Sequence, residues 1–161
     1  MMARKMAVPN EEVVVFVIGL RVNRLRSIRK WWPVFNAMPA MLKELYTQKE
    51  LGFLSHDLTI GWRSVTLIQY WRSTDELLDY AHGKTHLEAW KSFNQKARAT
   101  DVVGIFHETY AVSNYETMYV NLPDRGLGKA LGTVDVGKGR NSAKERLDER
   151  SLHKQKQRTD A

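Results

Sequence analysis

The chemistry available to this chain rests on two histidines and the rings around them. His86, Trp90, Phe93 and Ala97 follow one another at four-three-four spacing, which puts them on one face of a helix. An imidazole in line with two large aromatics reads as a base or a ligand at the mouth of an apolar pocket, since its pKa lies near neutrality. The plainer reading is a histidine near a helix start, hydrogen-bonded locally. His107 and Glu108 are neighbours in a run that reads as a strand, so they point to opposite faces and cannot form one catalytic pair within a single layer. One would face the helices and the other a dimer partner, where Glu108 could equally pair with Arg63 or Arg72. His82 and His86 have the four-residue spacing of two metal ligands, but Gly83 between them breaks the helix and no acid stands by as a third, so no metal site is expected. Met38 and Met41, with Trp31 and Trp32, suit the wall of an apolar site, although core packing explains them as well.

Elements must position these groups. Val13 to Leu20 is an unbroken β-branched and aromatic run, a strand buried on both faces. A helix follows over 28–48, with Val34, Met38, Met41, Leu42 and Leu45 on one stripe. Pro33 and Pro39 predict a late start or a kink in it. Phe53–Ile60 and Ser64–Arg72 alternate as two strands joined by a turn at Gly61-Trp62-Arg63. Leu54, His56, Leu58 and Ile60 share one face; Val65, Leu67, Gln69 and Trp71 lie opposite Thr66, Ile68 and Tyr70. Ser73 to Glu76 and Thr85 to Glu88 are capping boxes, each opening a helix. A strand over 102–112 follows, then a short one over 116–120. The order is strand, helix, strand, strand, helix, strand, which is an α+β ferredoxin-like arrangement. Helices on one face leave the other apolar face uncovered, and a second copy is its simplest cover, so a homodimer is expected.

Composition narrows the classes. No cysteine is present, which excludes disulfides and thiolate chemistry and fits a reducing, cytoplasmic setting. The longest apolar run is too short to span a bilayer, and the first ten residues lack the apolar core of a secretory signal, so no membrane partner is expected. The net charge of +7 is unevenly placed. Residues 124–161 hold ten Lys/Arg against six Asp/Glu, and Arg21, Arg24, Arg26, Arg29 and Lys30 form a second basic cluster. Residues 31–123 hold eight against ten, so a nucleic-acid-binding face across the domain is not expected. The reading is a domain over 11–123 and a flexible basic tail over 124–161, because the tail lacks aromatics and apolar periodicity. Residues 142–150 could form a marginal helix through close charge pairs.

Four segments together resemble a known family: Tyr70-Trp-Arg-Ser-Thr-Asp-Glu76, His86-Leu-Glu-Ala-Trp90, Val103-Gly-Ile-Phe-His-Glu-Thr-Tyr110 and Val120-Asn-Leu-Pro123. Their order and spacing resemble the monooxygenase-like family typified by a fumagillin-biosynthesis monooxygenase, a branch of the antibiotic-biosynthesis-monooxygenase type of dimeric α/β barrels. The resemblance covers about residues 12–135. It implies a dimeric α/β barrel, and at the position of His86 a histidine projecting into the space between sheet and helices. It implies either oxygenation without cofactor or, in other branches of the superfamily, haem binding with His86 or His107 as axial ligand. No glycine-rich fingerprint follows any strand, which disfavours flavin or nicotinamide. The expectation is therefore a monooxygenase-like enzyme for a small apolar or aromatic molecule. His86 and then His107 would act as base, with Trp90, Phe93, Tyr70 and Met38 shaping the cavity. The alternatives are a haem protein of the same superfamily and a non-enzymatic module that uses its basic tail.

Overall fold

Alternation of β-branched and aromatic residues sets the strands and decides which side each one buries. The computed structural model describes residues 4–9, 12–83, 86–88, 90, 91, 95 and 101–149. In chain order the elements are β1 (Arg4–Ala7), β2 (Val13–Val22), α1 (Ile28–Thr47), a 3-10 turn (Lys49–Leu51), β3 (Phe53–Ile60) and β4 (Ser64–Trp71). There follow α2 (Thr74–His82), the helical residues 86–88, 90, 91 and 95 that we call α3, and β5 (Val103–Val112). The last are β6 (Tyr119–Val120), α4 (Leu127–Leu131), β7 (Thr133–Asp135) and α5 over 143–149. The chain divides into two units, residues 14–110 and residues 1–13 with 111–161.

The larger unit is ferredoxin-like, with sheet order β3-β4-β2-β5. Antiparallel pairing sets Val14 against Trp71 and Leu20 against Val65, so one set of alternate residues turns to the helices. Val14, Leu45, Phe53, Trp71 and Leu77 pack as one cluster. Leu20, Val22, Val102 and Val103 pack as a second, under Trp31, Val34 and Phe35 of α1. Ser73 caps α2 as its sequence predicts: its hydroxyl accepts the Glu76 backbone N–H at 3.2 Å. Gly83 ends α2, its own N–H bonded to Tyr80 O at 3.0 Å. Thr85 of the second capping box lies outside the described residues.

Two expectations change. α1 starts at Ile28 and runs unbroken through Pro33 and Pro39. Both prolines are exposed, so water can reach the carbonyls they leave unbonded. In β3 an irregularity between Phe53 and Ser55 takes Leu54 out of the expected face and sets Phe53 opposite Trp71 in the core; His56, Leu58 and Ile60 keep their shared face opposite Gln69, Leu67 and Val65, with Leu58 and Ile60 44% and 71% exposed.

The second unit corrects the expectation of a free tail over residues 124–149; residues 150–161 of that expected tail lie outside the described residues. β7 pairs antiparallel with β1 through Lys5↔Asp135, Met6↔Val134 and Ala7↔Thr133, and β6 pairs with the other edge of β1. The strand expected at 116–120 is thus short and belongs to this three-stranded sheet. α5 brings Arg146 inward until its side chain is 5% exposed. Its guanidinium meets Glu116 at 2.7 Å and donates to the carbonyls of Arg140 and Asn141 at 2.9 and 3.1 Å. Composition missed this because a few long-range polar contacts, rather than an apolar stripe, do the ordering. Among the described residues no helix is long and apolar enough to cross a membrane.

Arg146→Ala should cost about 2–3 kcal/mol in urea unfolding, somewhat less than a fully buried broken pair, since Glu116 keeps 30% of its side chain in water. Arg146→Lys should recover little of it, because the fork to one carboxylate and two carbonyls is lost. An unchanged unfolding midpoint would return this segment to the status of a loose tail.

Candidate functional site

Along β2 the two packed clusters leave a gap. Val14 belongs to one and Leu20 to the other; between them Phe16 and Ile18 face a cavity of about 260 Å³. Its sheet wall is completed by Leu67 and Gln69 of β4 and by His107 and Thr109 of β5. Its helix wall comes from α1 (Met38, Met41, Leu42, Leu45), from α2 (Leu77, Leu78, Tyr80, Ala81) and from His86 and Trp90 of α3. Apolar groups dominate the lining and a few polar groups converge on it, which is the usual make-up of a small-molecule site.

The structure brings His86, His107, Trp90 and Met38 to this one cavity, from three different elements and opposite walls. His107 faces the helices, its ring 5.8 Å from Phe16 and 6.2 Å from Trp90. Glu108 turns to the other face, where it accepts the Tyr110 hydroxyl at 2.6 Å. Within the chain, Arg63 donates to the Val22 and Asn23 carbonyls and Arg72 forks onto Glu76. His82 bonds its own helix, Nδ1 to Leu78 O at 2.8 Å. Tyr70 must be moved: it pairs with Val15 and Ser55 on the opposite face and does not line the cavity. The one-residue alternation of β4 makes this unavoidable once Gln69 faces inward. Phe93 lies outside the described residues.

His86 has the most unusual setting. Its Nδ1 is buried without a hydrogen-bond partner among the described residues, and its ring stands 5.0 Å from that of Tyr80. Burial pushes the imidazolium below its ordinary value near 6.5, and the Glu44 carboxylate of α1 pulls part of the way back. The cause is thus desolvation. Burial, helped by Glu44, also pushes the Tyr80 phenol up to about 12, so it remains protonated.

On its other side His86 borders a second, polar cleft of about 360 Å³ lined by Glu44, Glu50, Glu76, Asp79 and Tyr80 among others. His86 and Tyr80 are common to both linings, so they form the partition between an apolar chamber and an acidic one. Sequence reasoning missed Tyr80, Gln69 and Glu44. Gln69 did leave a signal, a polar residue on the otherwise apolar Val65–Leu67–Trp71 face. It is 8% exposed and accepts the Trp71 indole N–H at 3.0 Å.

A family model described as Monooxygenase af470-like matches residues 13–127. The curated protein Monooxygenase af470 of Aspergillus fumigatus is 32% identical over 146 residues, covering 83% of this chain and 50% of that protein. This chain therefore spans about half the length of that relative. Among solved structures, aldoxime dehydratase superposes with a TM-score of 0.61 at 18% identity, over 92% of this chain and 43% of that one, a likeness of fold. SnoaB, a cofactor-independent oxygenase from Streptomyces nogalater, aligns at 18% identity and a TM-score of 0.43 over 63% of this chain and 93% of that one.

The histidine's setting has a measurable consequence. A folded-state pKa below the unfolded one means the unfolded chain takes up the proton first as pH falls. The contribution of His86 to stability should therefore be complete above about pH 6.5 and decline on acidification toward its lower folded value. NMR titration of the His86 ring should give a midpoint below 6.5. Glu44→Gln should move it lower still, because the attractive charge is gone. A midpoint unmoved by Glu44→Gln would separate the two residues.

Proposed function

This chain belongs to the Monooxygenase af470-like family, and from that premise we propose that it oxygenates a compact apolar substrate with His86 as the proton-abstracting base and without flavin or nicotinamide. The observation that carries the reading is the buried, unpartnered Nδ1 of His86 on the wall of an apolar cavity, on a ring held neutral by burial. A neutral imidazole whose nitrogen meets no protein donor can take a proton from a bound phenol or enol. The dry lining then leaves the resulting anion unquenched by water. The electron-rich anion reacts with O₂; a substrate CH₂ and one O₂ become a carbonyl and one water, so no external reductant is needed. The protonated His86 can return its proton toward the acid-lined cleft on its far side. Tyr80, kept protonated, Gln69 and Thr109 offer donors that can orient the substrate oxygen. His107, wedged between Phe16 and Trp90 on the opposite wall, is the second candidate base.

The cavity also bears on the haem alternative. At about 260 Å³ it lies just below the usual range of ligand pockets (roughly 300–1,000 Å³) and is lined on its helix side by Met38, Met41 and Leu42. That space favours a compact molecule over a porphyrin. Of the ten basic residues in the expected tail, Arg140 and Arg146 are engaged with Glu149 and Glu116, so the interaction-module reading rests on the other eight.

A homodimer through the sheet face away from the helices is part of the proposal. Val15, Val17 and Ile68 stand on that face, beside Phe106 and Tyr110, each 50% exposed. Gly19 lets the Phe106 ring lie flat against β2, because a Cβ there would come within 2.0 Å of it. This is the broad apolar surface that a second sheet would cover.

His86→Ala should lower oxygen consumption with an electron-rich phenolic or enolic substrate by on the order of 10²–10⁴-fold, the share of a general base. The melting temperature should hold, since the buried Nδ1 of His86 has no hydrogen-bond partner to lose among the described residues. Full activity in His86→Ala, with activity lost in His107→Ala, would transfer the role to the other wall. Sedimentation should give a dimer at micromolar concentration, and Phe106→Glu a monomer.

A further inference from the structure

One end of the 14–110 unit carries a surface that neither the core nor the cavity uses. Leu25, Ile28 and Trp32, in the segment entering α1, are 42%, 56% and 54% exposed; Ile60 and Trp62, at the β3–β4 hairpin, are 71% and 89% exposed. The two segments are fastened together. Val22 N–H donates to Arg63 O at 2.8 Å, and the Arg63 guanidinium donates to Val22 O at 2.9 Å and to Asn23 O. Trp31 is turned inward, its indole N–H on Leu25 O at 3.1 Å and its ring against the second core cluster. Trp32 meets that ring edge-on at 5.9 Å and points outward.

The charge on the segment entering α1 has one sign. Arg21, Arg26, Arg29 and Lys30 are all exposed, and no acidic residue occurs between Glu12 and Glu44. Arg24 alone of the cluster is seen in an ion pair, with Asp101 at 2.7 Å. Single exposed apolar residues are ordinary, but five on two tethered segments, two of them tryptophan and ringed by cations, are not.

We propose that this end of the molecule rests peripherally on an anionic lipid surface. Trp32, Trp62, Ile28 and Ile60 would enter the interfacial region, and Arg21, Arg26, Arg29 and Lys30 would meet the head groups. Indole rings favour the level where acyl chains give way to head groups, and aliphatic tips add buried area below it. The cations supply the attraction that a shallow insertion needs in addition. The aliphatic share decides against nucleic acid, because Leu25, Ile28 and Ile60 offer no ring for a base to stack on. The expectation of no membrane partner followed from the lack of a span, and a peripheral contact needs none. The inference is independent of the base assigned to the cavity, although a lipid-dissolved substrate would suit that lining.

Flotation of the full chain with phosphatidylcholine vesicles, with and without phosphatidylserine, tests this. The chain should float with the anionic vesicles, shift its tryptophan emission to the blue, and come off as salt is raised. Arg26→Gln with Arg29→Gln should lower partitioning about 30-fold, at about fivefold per cation near an anionic surface. Trp32→Ala with Trp62→Ala should remove the emission shift, and both double variants should melt like the parent. Equal behaviour with the two vesicle types, or double variants that partition like the parent, would overturn the proposal. So would release from vesicles by a single-stranded RNA oligonucleotide at constant salt, or a dimer that dissociates on Trp32→Ala with Trp62→Ala; these would assign the patch to nucleic acid or to a second copy.

Discussion

Complete burial of Trp71 is the interaction on which the rest of the larger unit depends. Its side chain is 0% exposed, meets Phe53 edge-on at 5.5 Å and joins strand β4 to α1 and α2 through Leu45 and Leu77. An indole in that position must place its N–H somewhere, since an unmet donor in the interior costs about 1–3 kcal/mol. Gln69 supplies the acceptor, and so a polar side chain is held on the cavity wall by a demand of the core. On its other side Trp71 packs against Tyr80 at 5.5 Å, and Tyr80 against His86 at 5.0 Å. Core packing thus reaches the candidate base in two steps. The polar groups of the cavity are attached to its most rigid neighbour, as preorganised chemistry requires.

Much of this frame was legible because the relevant signals are periodic. The strands Val13–Val22, Phe53–Ile60 and Ser64–Trp71 follow from β-branched runs and alternation, and α1 from its stripe ending in Leu45, which is 2% exposed. Ser73 with Glu76 marked the start of α2 within one residue. His86, Trp90 and His107 could be named as candidates because a helix face and a strand alternation each constrain direction. Tyr70 was misplaced because its resemblance-bearing segment said nothing of facing, while its neighbour Gln69 already held the inward position. Tyr80 and Glu44 were not legible: each reaches His86 across helices whose mutual placement no local pattern encodes.

The C-terminal segment fails differently. Apolar periodicity is the signal of elements ordered by area, and residues 124–149 have little of it. Their order comes from a ladder of three residue pairs to β1 and from one guanidinium with four short polar contacts, including Glu116 thirty residues earlier in the chain. Composition counts Arg146 as one more basic residue of a solvated tail. Only the long-range partner shows that it is structural, and a long-range ion pair leaves no trace in a window of sequence. The charge of +7 changes meaning as a result. Part of the basic excess in the tail is spent internally, and the exposed excess gathers in the Arg21–Lys30 stretch, where no acid intervenes.

The two histidines of the cavity, alike in type, differ in what lies behind them. His107 stands on the sheet between Phe16 and Trp90, rings that can neither accept nor pass a proton. His86 stands on the helix wall, with the apolar chamber on one side and Glu44, Glu50 and Asp79 around the cleft on the other. A base used once per turnover must discharge its proton before it can act again, and discharge is easiest where carboxylates and water are near. One of these carboxylates, Glu44, limits how far burial can lower the His86 pKa. A fully dry site would leave the imidazole too weak a base, and a fully wet one would leave it protonated through more of the neutral range. The partition between the two chambers is the position where both requirements meet, and it favours His86 over His107 on grounds that neither residue's chemistry alone provides.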